Sequence, residues 1–362
     1  MSGSIGPSTT NEYGLMASLV ANAGTARQNL DALNRQASTG KIADTYAGLG
    51  AAAKISLDLR PAIAHAKTAQ SNIDAAMGRM DQTQTAMTQL QNIAATFYAQ
   101  LNNLNGLNAG EVDSTAADAR AALTQVAGLL NTRNGDVYVF AGNDTANPPV
   151  PNADNILTSG YYTQISTAVA GLAGAGAAAT VAATLAVATS NAGGTSPFSA
   201  SQSQPAALLA GQVPSVDAGP GPRPQIGLLA SANTNVVSSG PSSTGSYTRD
   251  LMRALATIGS LSSGQLSASG FSSLIDDTRA GLNSAIGAMA QDAGVLGNTQ
   301  SALTTTRSSL GDVQTALAAQ VSSVEDVDMA ATLSALQLAQ TRLQSSYQLI
   351  AGQSSLSLVK YI

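Results

Sequence analysis

The C-terminal stretch Val321–Ile362 reads VSSVEDVDMAATLSALQLAQTRLQSSYQLIAGQSSLSLVKYI and is apolar at regular intervals. Alternating spacings of four and three keep one stripe of a helix toward a partner helix. Ser322 followed three residues later by Glu325 predicts a capping box that starts the helix. We therefore expect a C-terminal helix that pairs with another helix. The stripe consists of Met329, Leu333, Leu336, Gln340, Leu343, Tyr347 and Ile350.

The N-terminus carries a matching stripe that stops at Ser38-Thr39-Gly40, a typical helix end. Apolar helices at both ends of a chain would fray in a monomer, so we expect the termini to fold together inside an assembly. The N-terminal stripe is Leu15, Leu19, Ala23, Ala26, Leu30, Leu33 and Ala37. The predicted assembly interface comprises Leu15, Leu19, Leu30, Leu33, Met329, Leu333, Leu336, Leu343, Tyr347, Ile350, Leu356 and Leu358.

Three further seams lie between the termini. The longest runs from Leu282 to Val324 without a proline, about 43 residues or about 65 Å of helix, which exceeds an ordinary globular helix. Two others run from Ile73 to Leu104 and from Ala119 to Leu130, and the methionines of the former are interpreted as core filler. The phase slips by one residue between Val324 and Met329, which predicts a joint there.

The middle of the chain has a different composition. Proline and glycine recur from about Ala146 to Ser246, and the heptads vanish. Short apolar stretches alternate with turn residues over Gln204–Val236, which predicts a small β-containing insert. The alanine-rich stretch Ala168–Thr189 could instead form a weak helix.

The predicted fold class is mainly α, a long antiparallel helical rod (a coiled-coil bundle) built from both chain ends, with a small β-containing insert at its tip. Five segments follow from the pattern. They are an N-terminal helix of the inner terminal domain (1–45), the N-terminal part of the rod (46–147), a variable outer insert with β structure (148–247), the C-terminal part of the rod (248–321) and a C-terminal helix of the inner terminal domain (322–362).

Composition excludes several function classes. Charged residues make up only 10% of the 362 residues, well below the roughly 25% of ordinary domains. The net charge of -5 and the scattered basic residues give no footprint for nucleic acid. No apolar run reaches the roughly 20 residues of a membrane span, so membrane insertion is not expected, and no signal peptide is expected. The chain has no cysteine, which by itself decides little.

The residues suggest no enzyme. His65 is the single histidine, so metal sites built on paired histidines cannot form, and a serine nucleophile lacks a convincing partner. The acidic groups Asp276-Asp277 and Glu325-Asp326-Asp328 are better explained as helix-start charges than as a catalytic pair. Glycine-rich stretches lack the Gly-Lys-Ser/Thr ending of a phosphate loop. No cofactor and no metal are expected.

Five stretches resemble the bacterial flagellin family, which includes filament flagellins and the hook–filament junction protein. At the N-terminal end these are Leu30–Lys41 (LDALNRQASTGK) and Asn131–Asn143 (NTRNGDVYVFAGN). At the C-terminal end they are Val324–Ala330 (VEDVDMA), continued through Leu343–Tyr347 (LQSSY), and Leu356–Ile362 (LSLVKYI). The resemblance covers the two helical ends, roughly 250 residues, and is weakest in the insert.

This resemblance implies a structural subunit of the flagellum that forms a homo-oligomeric helical assembly. It further implies contacts with hook, hook-associated and flagellin subunits, an export chaperone, passage through the flagellar type III apparatus and an extracellular location. The stretch Tyr138–Asp144 before Pro148-Pro149 is more similar to the hook–filament junction protein, while the shortened loop Asn105–Asp113 is not, so filament flagellin remains the alternative.

Two other classes stay open. A surface glycan-binding adhesin on a flagellin scaffold would use an exposed Tyr161-Tyr162 pair for stacking on sugar, although adjacent side chains point to different sides. A coiled-coil signalling rod is the other, but such rods carry many flanking Glu and Lys residues and this chain has few.

Overall fold

A computed structural model describes residues 9–104 and 108–355, except for the side chains of residues 9–13, 15, 16 and 353–355. The chain is 71% helical, with long helices packed against each other and a small antiparallel sheet, which confirms the predicted fold class. The α-helices of the described residues are α1 (Thr9–Thr39), α2 (Ala52–Asn103), α3 (Ala109–Leu130), α4 (Gly160–Ala170), α5 (Leu172–Thr189), α6 (Ala206–Ala210), α7 (Tyr247–Gly259), α8 (Phe271–Glu325) and α9 (Met329–Ser355). Short 3-10 helices lie at Tyr46–Leu49, Ala153–Thr158 and Ser263–Gln265.

The chain divides into two compact units. The first unit comprises Met1–Ala66 and Asp312–Ile362, and the second comprises Lys67–Gly311. Both divisions fall inside long helices, so α2 and α8 each contribute residues to both units. The domain boundaries drawn from the sequence stay a prediction.

The first unit is built on the two terminal helices. α1 and α9 pack against each other, and the residue after α1 (Gly40) takes a left-handed φ of 70° that ends the helix. Beyond it, Lys41 pairs with Asp326 in an isolated antiparallel bridge just before α9 begins. Because the end of α1 lies beside the start of α9, the two helices run antiparallel.

The second unit holds a large apolar core. Residues of the predicted seams on α2, α3 and α8 are buried there, and the amide of Gln84 on α2 donates to the carbonyl of Ala293 on α8 at 2.9 Å. Every residue of α7 is buried. The largest fully buried seam residues are Ile73, Met80, Met87, Leu90, Leu101, Leu123 and Leu130.

The β structure is small and lies mostly ahead of the insert. Strands β1 (Arg133–Asn134) and β2 (Val137–Tyr138) form a two-stranded antiparallel hairpin. Most of the ordered structure in residues 148–247 is helical, and its β content is limited to isolated bridges, Ser215 with Gln225 and Leu229 with Ala141. The alanine-rich stretch is helical, as the sequence allowed.

One helix of the described chain, α5, is long and apolar enough to cross a membrane by length and composition alone. Its residue Gly176 has a φ of 80°, which interrupts the helix and leaves a straight part of roughly 20 Å, short of the roughly 30 Å of a bilayer core. One side of α5 is buried in the second unit through Leu172, Thr180, Thr184 and Ala188. These features favour a place in the helical layer of that unit.

Candidate functional site

The terminal helix pair of the first unit is the candidate site. On α1 the described members of the predicted stripe face inward: Ala23 is buried, and Leu19, Leu30 and Leu33 are half-buried. Their four-three spacing brings them to one side of the helix, where α9 packs. Over the residues whose side chains are described, the N-terminal stripe thus lies on the side of α1 that is shielded from water, and its role as an assembly interface stays a prediction.

The stripe predicted on α9 divides into two groups. Leu336, Leu343 and Ile350 are half-buried, whereas Met329, Leu333 and Tyr347 are 41–50% exposed. The inward face keeps Leu336, Leu343 and Ile350 of the predicted stripe, but between them it uses the residue one position earlier than predicted. These earlier residues are small or polar, namely Thr332, Ala339 and Ser346.

The exposed apolar residues of α9 form two rows. At 3.6 residues per turn, Met329, Leu333 and Tyr347 lie within about 40° of one another, on one flank of the inward stripe. Leu338 and Leu349, also exposed, lie on the other flank, about 110° from the centre of the inward stripe. An amphipathic helix packed on a single partner needs only one apolar stripe, so these rows are surplus to the pairing with α1.

The first unit has very little core. Of its described side chains only five are buried, and three of those are polar or charged. A two-helix pair cannot remove both faces of a helix from water, so most of its apolar residues stay accessible. The five are Ala23, Ser56, Ala66, Glu325 and Thr332.

A cluster of charges marks the break between α8 and α9, and we call it the joint: Lys41, Ser56, Arg60, Glu325 and Asp326. Glu325 is only 7% exposed. The guanidinium of Arg60 donates to both its carboxylate oxygens, at 2.7 and 2.8 Å, and the hydroxyl of Ser56 also donates to it. Lys41 binds Asp326 and lies 3.4 Å from Glu325.

The joint also connects two backbone segments. The N–H of Ile42 donates to the carbonyl of Glu325 at 2.7 Å, and the N–H of Val327 donates to the carbonyl of Gly40 at 3.0 Å. The segment that follows α1 is thereby fastened to the segment between α8 and α9. The phase slip between Val324 and Met329 correctly predicted a break in the helix, which falls between Glu325 and Met329, and both sides of the break belong to the first unit.

The hydrogen bonds of the joint shift its ionisation. Bonds from Arg60, then Ser56, lower the pKa of Glu325 to about 2. Lys41, then Ser322, lower the pKa of Asp326, and in return Asp326 raises the pKa of Lys41. Each shift favours the charged form. The joint is therefore fully ionised at neutral pH.

The predicted capping box is wrong. α8 continues through Ser322 to Glu325, and α9 starts at Met329, where the Asp328 carboxylate accepts from the N–H groups of Ala330 at 2.9 Å and Ala331 at 3.1 Å. Asp328 is thus the N-cap of α9. The capping signal was misread because Asp328 is as good an N-cap residue as Ser322, and the sequence does not show where α8 stops.

Three predicted interface residues cannot be placed. The side chain of Leu15 lies outside the described side chains, and Leu356 and Leu358 lie outside the described residues. Conversely, Arg60 and Ser56 were missed by sequence reasoning. Their partner Glu325 is more than 260 residues away, and no local pattern signals such a pairing.

The tyrosine pair of the insert does not form an exposed platform. Tyr161 is 2% exposed, and burial raises its pKa well above the ordinary value. Tyr162 is half-buried and donates its hydroxyl to the carbonyl of Gly259 at 2.9 Å. The expectation of exposed tyrosines is wrong, because α4 buries one ring in the core and turns the other onto the end of α7.

Within the described residues, no group of three or more His, Cys, Asp or Glu side chains could hold a metal ion. A groove of about 480 Å³ lies between α2 and α3 and is lined mainly by amides and apolar groups, with Asp118 as its one carboxylate. Its lining resembles a packing surface more than a reaction site.

A helical chain whose paired ends carry surplus apolar rows and little core of their own belongs to the class of self-associating structural subunits. Two family models agree: the bacterial flagellin N-terminal helical region matches residues 10–147, and the C-terminal helical region matches residues 280–362. The chain belongs to the bacterial flagellin family. Among curated proteins, none matches the chain.

Family membership makes the chain a structural subunit of the bacterial flagellum. It also implies polymerisation with copies of itself into the extracellular filament. The family is one of structural proteins, not of known enzymes.

Proposed function

We propose that this subunit polymerises through the α1/α9 pair and serves at the hook–filament junction. The proposal of polymerisation rests on the accessible apolar surface of the first unit. Helix α9 pairs with α1 and still exposes Met329, Leu333, Leu338, Tyr347 and Leu349. Apolar side chains on two sides of one helix require more than one further neighbour.

The arrangement favours an open-ended assembly. Rows that point in different directions contact different neighbours, and heterologous contacts of this kind propagate into a helical polymer rather than close into a dimer. Between the two exposed rows α9 carries a polar strip that includes Thr341, Gln344 and Gln348. In a tube lined by the terminal pairs, this strip would face the water-filled channel.

The junction assignment rests on the stretch Tyr138–Asp144 and on the Pro148-Pro149 pair that follows it. At a junction the subunit would contact hook, hook-associated and flagellin subunits, after export with a chaperone through the flagellar type III apparatus. Filament flagellin is the other outcome. The adhesin hypothesis loses its supporting observation, since neither tyrosine of the pair is exposed.

Variants of α9 test the polymerisation surface. Tyr347→Glu and Leu349→Glu charge one exposed row each, so we expect a monomer with unchanged far-UV circular dichroism that no longer sediments as a polymer. Gln348→Glu on the polar strip is the matched control and should polymerise normally. Leu343→Asp charges the inward face, so it should lose terminal helicity and assembly together. Normal polymerisation of both row variants would refute the proposed surface.

A second assay separates the two members of the family. The purified full chain is incubated with isolated hooks and, separately, with filament fragments. A short cap on hook ends that then accepts flagellin supports the junction assignment. Continuous elongation of filament fragments by this chain alone would contradict it and favour filament flagellin.

A further inference from the structure

Part of the insert forms a closed projection, which we call the finger, residues Pro214–Ile226. Its base is held by two backbone bonds, from Ile226 N–H to the Pro214 carbonyl at 2.8 Å and from Val216 N–H to the Pro224 carbonyl at 3.1 Å. Nearer the tip, Arg223 pairs with Asp217 at 3.1 Å. The finger is therefore a segment whose conformation is fixed by hydrogen bonds and an ion pair.

The finger lies across two long helices of the second unit. The side-chain amide of Asn72 on α2 donates to the carbonyl of Asp217 at 3.3 Å. A methyl group built on Gly219 would lie 3.8 Å from Leu310 on α8 and 3.9 Å from Ala69 on α2, so the Gly219 backbone lies close to both helices. One short segment thus lies against helices that come from opposite ends of the sequence.

The base of the finger belongs to the core. Val216 and Ile226 are 5–6% exposed members of the hydrophobic cluster, and Ala218 and Leu310 pack against it. Burial of these side chains fixes the finger's direction, because swinging it outward would expose them. The contacts on α2 and α8 are consequently made by a pre-positioned element.

The finger reaches a part of α2 beyond the end of α3. α3 stops at Leu130, and the hairpin after it reaches α2 through a bond from Asn134 to the carbonyl of Gly78 at 3.0 Å. The finger is hydrogen-bonded to α2 at Asn72 and lies close to Ala69, about two turns from Gly78 toward the start of α2. There the direct links between α2 and α8 include Arg307 with Asp74, an ion pair in which both side chains are half-exposed and which contributes little.

We propose that the finger is a clasp that holds α2 and α8 together over residues 67–76 and 303–311. The stability of this stretch of the helix pair is then set by the insert, a segment remote from both helices in sequence. Without the finger's contacts, residues 67–76 and 303–311 open locally more often, while the core around α7 stays closed.

The experiment is hydrogen–deuterium exchange of the full chain. Replacing Asp217–Arg223 with Asn-Gly keeps the base as a tight turn and removes the tip. We expect exchange in residues 67–76 and 303–311 to quicken by about tenfold, with α4, α5 and α7 unchanged. Unchanged exchange in the two target segments would overturn the proposal, as would an equal rise throughout the unit.

Two substitutions serve as control and safeguard. Pro222→Ser alters the tip at an exposed position, next to Gly221, where an added Cβ would meet nothing within 4 Å, and it should leave exchange unchanged. If the shortened chain does not fold, Asn72→Ala decides instead, because it removes only the bond to the finger. Faster exchange confined to the two target segments supports the clasp, and wild-type exchange there refutes it.

Discussion

Glu325→Gln is the sharpest test of the joint in the first unit. The substitution keeps the shape of the side chain but removes the charge that Arg60, Ser56 and Lys41 share. Glutamine also turns an N–H₂ group toward donors, so some of these bonds become impossible. The two backbone bonds that fasten Gly40–Ile42 to Glu325–Val327 should then open more often.

The expected size follows from the geometry. A hydrogen bond to a charged group is worth about 1.5–3 kcal/mol when it is shielded from water. The side chain of Arg60 is 51% exposed, so water replaces part of the hydrogen bonding to Glu325 that the substitution removes. An exposed ion pair is worth less than about 1 kcal/mol. We therefore expect the joint to lose about 1–2 kcal/mol in total, a factor of about 5–30 in its opening equilibrium.

Hydrogen exchange at the amides of Ile42 and Val327 measures this directly. At neutral pH their protection factors should fall by that factor in Glu325→Gln. Glu111→Gln is the matched control, since Glu111 is exposed at the start of α3 and touches nothing in the joint. It should leave both amides unchanged.

The lowered pKa of Glu325 determines the pH range over which its charge stabilises the joint. The folded state lowers the pKa of Glu325 from 4.5 to about 2, so its contribution is complete above pH 4.5 and disappears as the pH falls toward 2. The difference between wild type and Glu325→Gln should be constant near neutrality, shrink below pH 4.5 and vanish near pH 2. Equal protection at pH 7, or a difference that persists at pH 2, would refute the assigned role of the carboxylate.

Three further substitutions test other parts of the chain. Asp328→Ala removes the N-cap of α9 and should destabilise its first turn by about 1 kcal/mol, seen as faster amide exchange there and restored by Asp328→Ser. Leu123→Ala creates a cavity in the second unit and should lower its free energy of unfolding by about 2–5 kcal/mol in urea titrations. Gly160→Ala places a methyl group on the carbonyl of Gly194 and should lower the melting temperature, whereas Gly174→Ala, which meets open space, should not. A melting temperature equal to wild type in Gly160→Ala would contradict this close approach.

Helical periodicity alone predicted most of the long helices. The seams from Ile73 to Leu104 and from Ala119 to Leu130 are buried where the sequence expected them, because a four-three alternation has only one way to face a core. The N-terminal stripe was predicted equally well. Its pairing partner was also correct, although the evidence for it was only that both termini carried such stripes.

The stripe on α9 shows where periodicity fails. The sequence reading favoured the largest apolar residues, including Leu333 and Tyr347, but the inward face uses smaller ones such as Ala339 and Ser346. Small residues let two helices approach closely, and α1 contributes Ala23 and Ala26 to the same seam. Large side chains on the flanks are then left for other neighbours, and a single-chain pattern cannot distinguish the two uses.

The finger and the joint could not be predicted, because each depends on contacts between residues far apart in the sequence. In the finger, Asp217 lies 145 residues from Asn72, and the proline-rich stretch indicated only turns. In the joint, Glu325 was assigned to a local cap, since the reading had no means of finding Arg60. Local patterns specify elements, whereas a sparse set of polar pairs specifies how they meet.

These few polar pairs fix the register of the paired helices, which the apolar seams leave open. A seam of alanine and leucine at heptad spacing packs almost equally well after a slip of one heptad, so it fixes which face meets its partner but not the register. The joint admits a single register, because Glu325 reaches Arg60 and Ser56 only when Lys41 lies opposite Asp326. A chain with only 10% charged residues has concentrated several of them at the end of the α1/α9 pair, where register is set. Loss of the joint should therefore produce terminal pairs of mixed register before it produces unfolded ones.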